Sequence, residues 1–148
     1  MSVSVREADF DVGAEIAALT AGDVDAGAVA TFVGLVRGGT ISAMTLEHYP
    51  AMTEKAIEEI VVEARGRWEL LGVRVIHRVG RLLPGDRIVL VVVTSRHRQA
   101  AFAACEFIMD YLKTQAPFWK LEETSAGNQW VDARESDEEA LRRWSGPQ

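Results

Sequence analysis

Apolar residues dominate two short runs of the chain, 27–37 (GAVATFVGLVR) and 87–95 (RIVLVVVTS). Both are rich in β-branched side chains and read as strands, the second deeply buried. Alternation predicts further strands at 2–7, 41–49 and 73–80. The GGT at 38–40 would turn the chain between 27–37 and 41–49 and make that pair a hairpin. A second tight turn is expected at 82–86, LLPGD.

Helical spacing appears four times. Val12, Ile16 and Leu19 give a short helix over 11–19. Met52, Ala56, Ile60 and Ala64 recur at spacing four, with Pro50 suited to the first turn and an end near Gly66 or Trp68. Ala101, Cys105, Ile108 and Leu112 form the stripe of a second long helix, with Ser95 as candidate N-cap and Pro117 as its stop. FWKLEE (118–123) and QWVDA (129–133) read as short strands around the turn SAGN (125–128), and 136–144 as a terminal helix capped by Ser136. Interleaved strands and helices with hairpin-length connections predict an α+β fold in one domain spanning 1–148, with a mixed or antiparallel sheet, two main helices and a small C-terminal β element.

Charge narrows the partners. The 148 residues carry a net charge of −6, which argues against a general binder of nucleic acid or anionic membrane. An anionic ligand must then be met by a local cluster of cations. No apolar run approaches the roughly 20 residues of a membrane span, and MSVSVREADF lacks the pattern of a secretory signal, so a cytoplasmic location is expected. One cysteine, Cys105, leaves no disulfide framework, and its place on an apolar stripe marks it as core. His48 and His77 lie within strands without zinc-ligand spacing and read as structural, and no metal site or cofactor is implied.

Three stretches carry candidate chemistry. Arg96, His97 and Arg98 stand where a strand gives way to a helix; free N–H groups and guanidinium forks there suit a phosphate or carboxylate, as the same residues suit a solvated basic turn. Arg37 follows a strand and precedes two glycines, an arrangement open both to an anion site and to an ordinary turn. Lys113 and Lys120, in YLKTQAPFWK, are two of only three lysines against thirteen arginines. A lysine amine, unlike a guanidinium, can lose its proton when desolvated and then act as base or nucleophile.

Taken in order, TFVGLVR, LEHYPAMTEKAIEEI, VIHRVGRLLPGD and SRHRQAAFAACEFIMDYLKTQAPFWKLE resemble the large, catalytic subunit of molybdopterin synthase, the MoaE family, from about residue 27 to the C-terminal RW. The resemblance implies an α/β-hammerhead-like fold and a sulfurtransferase of molybdenum cofactor biosynthesis. Such an enzyme converts cyclic pyranopterin monophosphate into the dithiolene of molybdopterin. Its sulfur donor is the Gly-Gly thiocarboxylate of a small ubiquitin-like partner of the MoaD family. Two large subunits form a central dimer with one small subunit at each outer end, a heterotetramer. An external donor agrees with a chain whose one cysteine reads as core.

By motif, the resemblance makes Lys113 and Lys120 the catalytic lysines and Arg37, His97 and Arg98 the anion-binding residues. It also makes Met109 a pocket-lining residue and Arg134 a contribution from the neighbouring subunit. The stretch between Arg37 and Leu46 is shorter than in many relatives, and Leu35 stands where they often have a basic residue. The alternative is a non-catalytic module that binds a ubiquitin-like protein or a phosphorylated pterin; formation of dithiolene product separates the two.

Overall fold

The computed structural model describes the backbone of residues 2–131 and 135–145, and the side chains of 2–131 and 139–145. The long apolar run forms β6 (Arg87–Ser95), buried without a break from Val89 to Ser95. Alternation sends Val89, Val91 and Val93 into one core and Leu90 and Val92 into another. A strand covered on both faces has no polar side to show, hence its uninterrupted hydrophobicity.

Around β6 lies a four-stranded sheet in the order β1-β4-β6-β2, from β1 (Val3–Arg6), β4 (Gly72–Arg78) and β2 (Ala28–Leu35). β1 runs parallel to β4, and the other pairs are antiparallel. α1 (Val12–Thr20), capped by Asp11 through the Ala14 N–H, covers one face with Val12, Ile16 and Leu19. α2 (Met52–Arg67) and α3 (Arg98–Thr114) cover the other. Phe107 is fully buried there against Trp68 and Trp144. Burying such a side chain contributes about 2–3 kcal/mol. α4 (Glu135–Arg142) packs on α3, and beyond its end the Trp144 indole N–H donates to Asp110 Oδ2 at 2.6 Å.

The expected α+β class holds, but the strands divide into two sheets. The second, antiparallel throughout, runs β5-β3-β7-β8, from β5 (Gly80–Leu82), β3 (Ile41–His48), β7 (Phe118–Thr124) and β8 (Gly127–Val131). The hairpin expected across 38–40 does not form: β2 pairs with β6 and β3 with β5 and β7, so the short connection carries the chain from one sheet to the other. The run 73–80 breaks for the same reason, with Gly80 at φ 89° starting β5 in the second sheet.

Helix details shift by small amounts. Ser95 ends β6, where its hydroxyl donates to the Glu69 carbonyl, and His97 takes the N-cap position of α3. Pro50 lies ahead of α2, whose N-cap is Ala51 at φ 68°. The buried stripe of α2 is Thr53, Ile57, Ile60, Val61 and Ala64, with Met52 exposed. Steps of four advance about 40° each around a helix, so a row of fours leaves the face that mixed threes and fours keep. Ser136 falls inside α4 rather than at its cap.

Candidate active site

The second sheet and the C-terminal end of α3 enclose a cavity of about 750 Å³. Alternation along β7 turns Phe118, Lys120 and Glu122 toward it, across from His48, Leu46 and Met44 of β3. Lys113 occupies the last turn of α3, where the helix dipole favours a cation. α3 closes with the Gln115 N–H on the Tyr111 carbonyl, and Pro117 leads straight into β7. Three residues between helix and strand thus bring the two lysines to one cavity from different elements. The buried Thr53 hydroxyl anchors that turn, accepting from the Tyr49 N–H at 3.2 Å and donating to the Pro117 carbonyl at 3.3 Å.

Arg37 reaches the same cavity from the β2–β3 connection. Val36 beside it is fixed twice, its N–H donating to the Asp86 carbonyl and its carbonyl accepting from the Gly85 N–H, both at 2.8 Å. Gly39, at φ 89°, turns the chain back toward β3. The described lining therefore gathers Arg37, Lys113 and Lys120 against one carboxylate, Glu122. In a chain of net charge −6, this is the local cation cluster an anionic ligand requires. A narrower cavity of about 250 Å³ adjoins it, lined by Phe32, Leu35, Ile88, Met109 and Leu112, with Lys113 and His77 on the shared wall.

Four of the predicted site residues thus share one region: Arg37, Lys113 and Lys120 line the larger cavity, and Met109 the smaller. His97 and Arg98 stand at the opposite end of α3 from Lys113, roughly 22 Å along the helix axis. They are exposed, and neither lines these cavities. Arg134 lies outside the described residues.

Glu122 is a cavity residue that the sequence did not single out, and His77, expected to be structural, also lines the cavity. Glu122 shares its parity with Lys120, the signal that would have found it. His77 shares its parity with the buried Val73 and Val75. A polar side chain at such an inward position marks either a satisfied core residue or the edge of a site. Burial lowers the His77 pKa to about 4, with the nearby Lys113 and His48 charges acting in the same direction and its bond to the Arg78 carbonyl opposing them. The imidazole is neutral near pH 7. Cys105 is core: burial raises its thiol to about 11.

Fold and cavity define an α+β protein built around a cleft whose lining carries three cationic side chains, Arg37, Lys113 and Lys120. The chain belongs to the MoaE family: the family model described as MoaE protein matches residues 5–115. It is 62% identical over 147 residues to the molybdopterin synthase catalytic subunit of Ralstonia nicotianae, covering 97% of this chain and 84% of that one. To the protein of the same name from Escherichia coli it is 60% identical over 139 residues, covering 91% and 92%. The solved molybdopterin biosynthesis MoaE protein of Burkholderia ambifaria superposes with a TM-score of 0.87 at 55% identity, covering 99% of both chains.

Proposed function

We propose that the chain is the catalytic subunit of a molybdopterin synthase, with Lys113 and Lys120 performing its sulfur transfer. The observation that carries this reading is the convergence of the two lysines and Arg37 on one cavity from a helix end, a strand and a loop. The substrate is cyclic pyranopterin monophosphate, an anion suited to that lining. The donor is the C-terminal thiocarboxylate of a small ubiquitin-like carrier of the MoaD family, acting in the cytoplasm; a catalytic subunit implies such a second chain.

The carrier's tail brings its thiocarboxylate sulfur to the pterin side chain, where a carbon–sulfur bond forms as a carbon–oxygen bond of the cyclic phosphate breaks, the displaced oxygen staying on the phosphate as it opens to a monoester. Attack on the acyl carbon, by water or by a lysine amine, then breaks the acyl–sulfur bond and leaves sulfur on the pterin. Arg37 and Lys120 hold the substrate anion, which makes the encounter an oriented reaction. Lys113, on the wall shared by both cavities, stabilises the oxyanion developing at the acyl carbon. His97 and Arg98 are too far along α3 to serve the same chain's Lys113. Their role in anion binding, like that of Arg134, is read as a contribution from a second copy in a central dimer that carries one small subunit at each end.

The test is product formation from purified thiocarboxylated carrier and cyclic pyranopterin. Lys113→Ala should fold normally and lose about 10²–10³-fold in turnover; near-normal turnover would overturn the assignment. Lys113→Arg separates charge from chemistry, because retained activity means that a fixed cation suffices. Binding of carrier and pterin without dithiolene product, by the unaltered chain, would favour a binding module.

A further inference from the structure

His77 is a buried, titratable group that sulfur transfer, as outlined, leaves without a role. β4 turns it to the side packed by α2 and α3, as it does Val73 and Val75. At the end of the strand that side meets the cavities instead of the core. Among the described residues, His77 and Lys113 are the two titratable side chains that line both. Leu35, Ile88 and Leu112 make up the rest of the shared lining.

The imidazole is held in two ways. It stacks on Phe118, with ring centroids 3.9 Å apart and planes 20° apart. Its Nδ1 lies 2.8 Å from the Arg78 carbonyl oxygen. A carbonyl only accepts, so Nδ1 carries the proton and Nε2 presents a lone pair. Nε2 has no hydrogen-bond partner among the described residues. Nor is it sealed away like Arg6 Nε, Arg67 Nη1 and Thr94 Oγ1, the buried atoms that lack partners there. His77 lines both cavities, and with Nδ1 turned to the Arg78 carbonyl, Nε2 is the ring nitrogen left to meet them.

We propose that His77 is a positioning residue whose Nε2 accepts a hydrogen bond from the Lys113 ammonium and holds that charge at the junction of the two cavities. The inference rests on the role given to Lys113 under Proposed function. The flexible four-carbon stem of a lysine brings Nζ to a neighbouring acceptor by rotamer change alone. The other shared neighbours, Leu35, Ile88 and Leu112, offer no side-chain acceptor. A carboxylate in this position would also hold the ammonium, but it would cancel the charge that the anionic substrate and the developing oxyanion need. A neutral imidazole orients the cation and leaves its charge available, which is the use to which burial and the Arg78 carbonyl put this histidine.

Two amide variants separate the ring's two nitrogens. In His77→Asn the amide N–H approximates Nδ1 and keeps the bond to the Arg78 carbonyl, but nothing replaces Nε2. In His77→Gln the amide oxygen approximates Nε2. Thermal melting and carrier binding establish that each variant folds and docks. His77→Asn should lower kcat about 10-fold or more, with the KM for the carrier unchanged within about two-fold, and His77→Gln should recover most of the loss. A folded His77→Asn with kcat within about two-fold of wild type, or a His77→Gln as slow as His77→Asn, would overturn the proposal. Lys113→Ala measured alongside separates the two claims. If it is inactive while His77→Asn is normal, only the positioning role falls; if it is active, both fall.

Discussion

The two ends of α3 carry the same kind of side chain and do different things. At the C-terminal end, Lys113 agrees with the helix dipole and faces the second sheet across a cavity shared with Arg37 and Lys120. At the N-terminal end, Arg98 opposes the dipole, and neither it nor His97 lines either of the two cavities. The neighbour there is backbone: a Cβ on Gly27 would lie 2.2 Å from the Arg96 carbonyl oxygen, so this approach requires glycine. A cation at a helix end acquires its meaning from what lies opposite. The second sheet supplies a charged, concave surface at one end; at the other, a close Gly27–Arg96 backbone approach lies beside side chains that face neither of these cavities.

The middle of α3 provides the largest expected effect and the contrast to both ends. Phe107→Ala empties a fully buried position between Trp68, Tyr111 and Trp144. It should cost about 3–5 kcal/mol in denaturant unfolding, whereas Lys113→Ala should cost almost nothing. Equal losses from the two would contradict the division between a helix body that stabilises and a helix end proposed to react.

A smaller effect belongs to the C-terminal end and is read through pH. His77 has a pKa of about 4 in the folded chain against an ordinary 6.5, so between these values the unfolded chain binds more protons. Stability should therefore fall as pH drops from about 6.5 toward 4, by on the order of 3 kcal/mol in all, and this term should be absent above 6.5. His77→Gln should flatten that part of the stability profile; an unchanged slope would mean that His77 is not buried neutral.

Much of this frame is written in local periodicity. The unbroken apolar run of β6 and the stripe Ala101, Cys105, Ile108 and Leu112 were legible because neighbours in sequence determine which face each residue takes. Strand pairing is not local. Gly38 and Gly39 look like a hairpin turn, but β2 finds its partner in β6, more than fifty residues away, and β3 in β7. Lys113, Lys120 and Arg37 stand out by residue type and position and Met109 through the family motif alone, and the fold brings the four together. The long separation of His97 and Arg98 from Lys113 follows from their places on one helix, once its length is known. His77 escaped because strand parity gives its facing, while only the tertiary structure shows that the face opens at that point onto a cavity.

The most direct measurement of the central claim is where the carrier's tail arrives. A thiocarboxylate carrier whose last residues include a photoreactive side chain can be bound to the intact protein, irradiated and mapped by mass spectrometry. Adducts are expected on residues 109–120, with Lys113 within reach, and should be suppressed by excess unmodified carrier. A carrier that binds and crosslinks elsewhere while leaving 109–120 unlabelled would contradict the account.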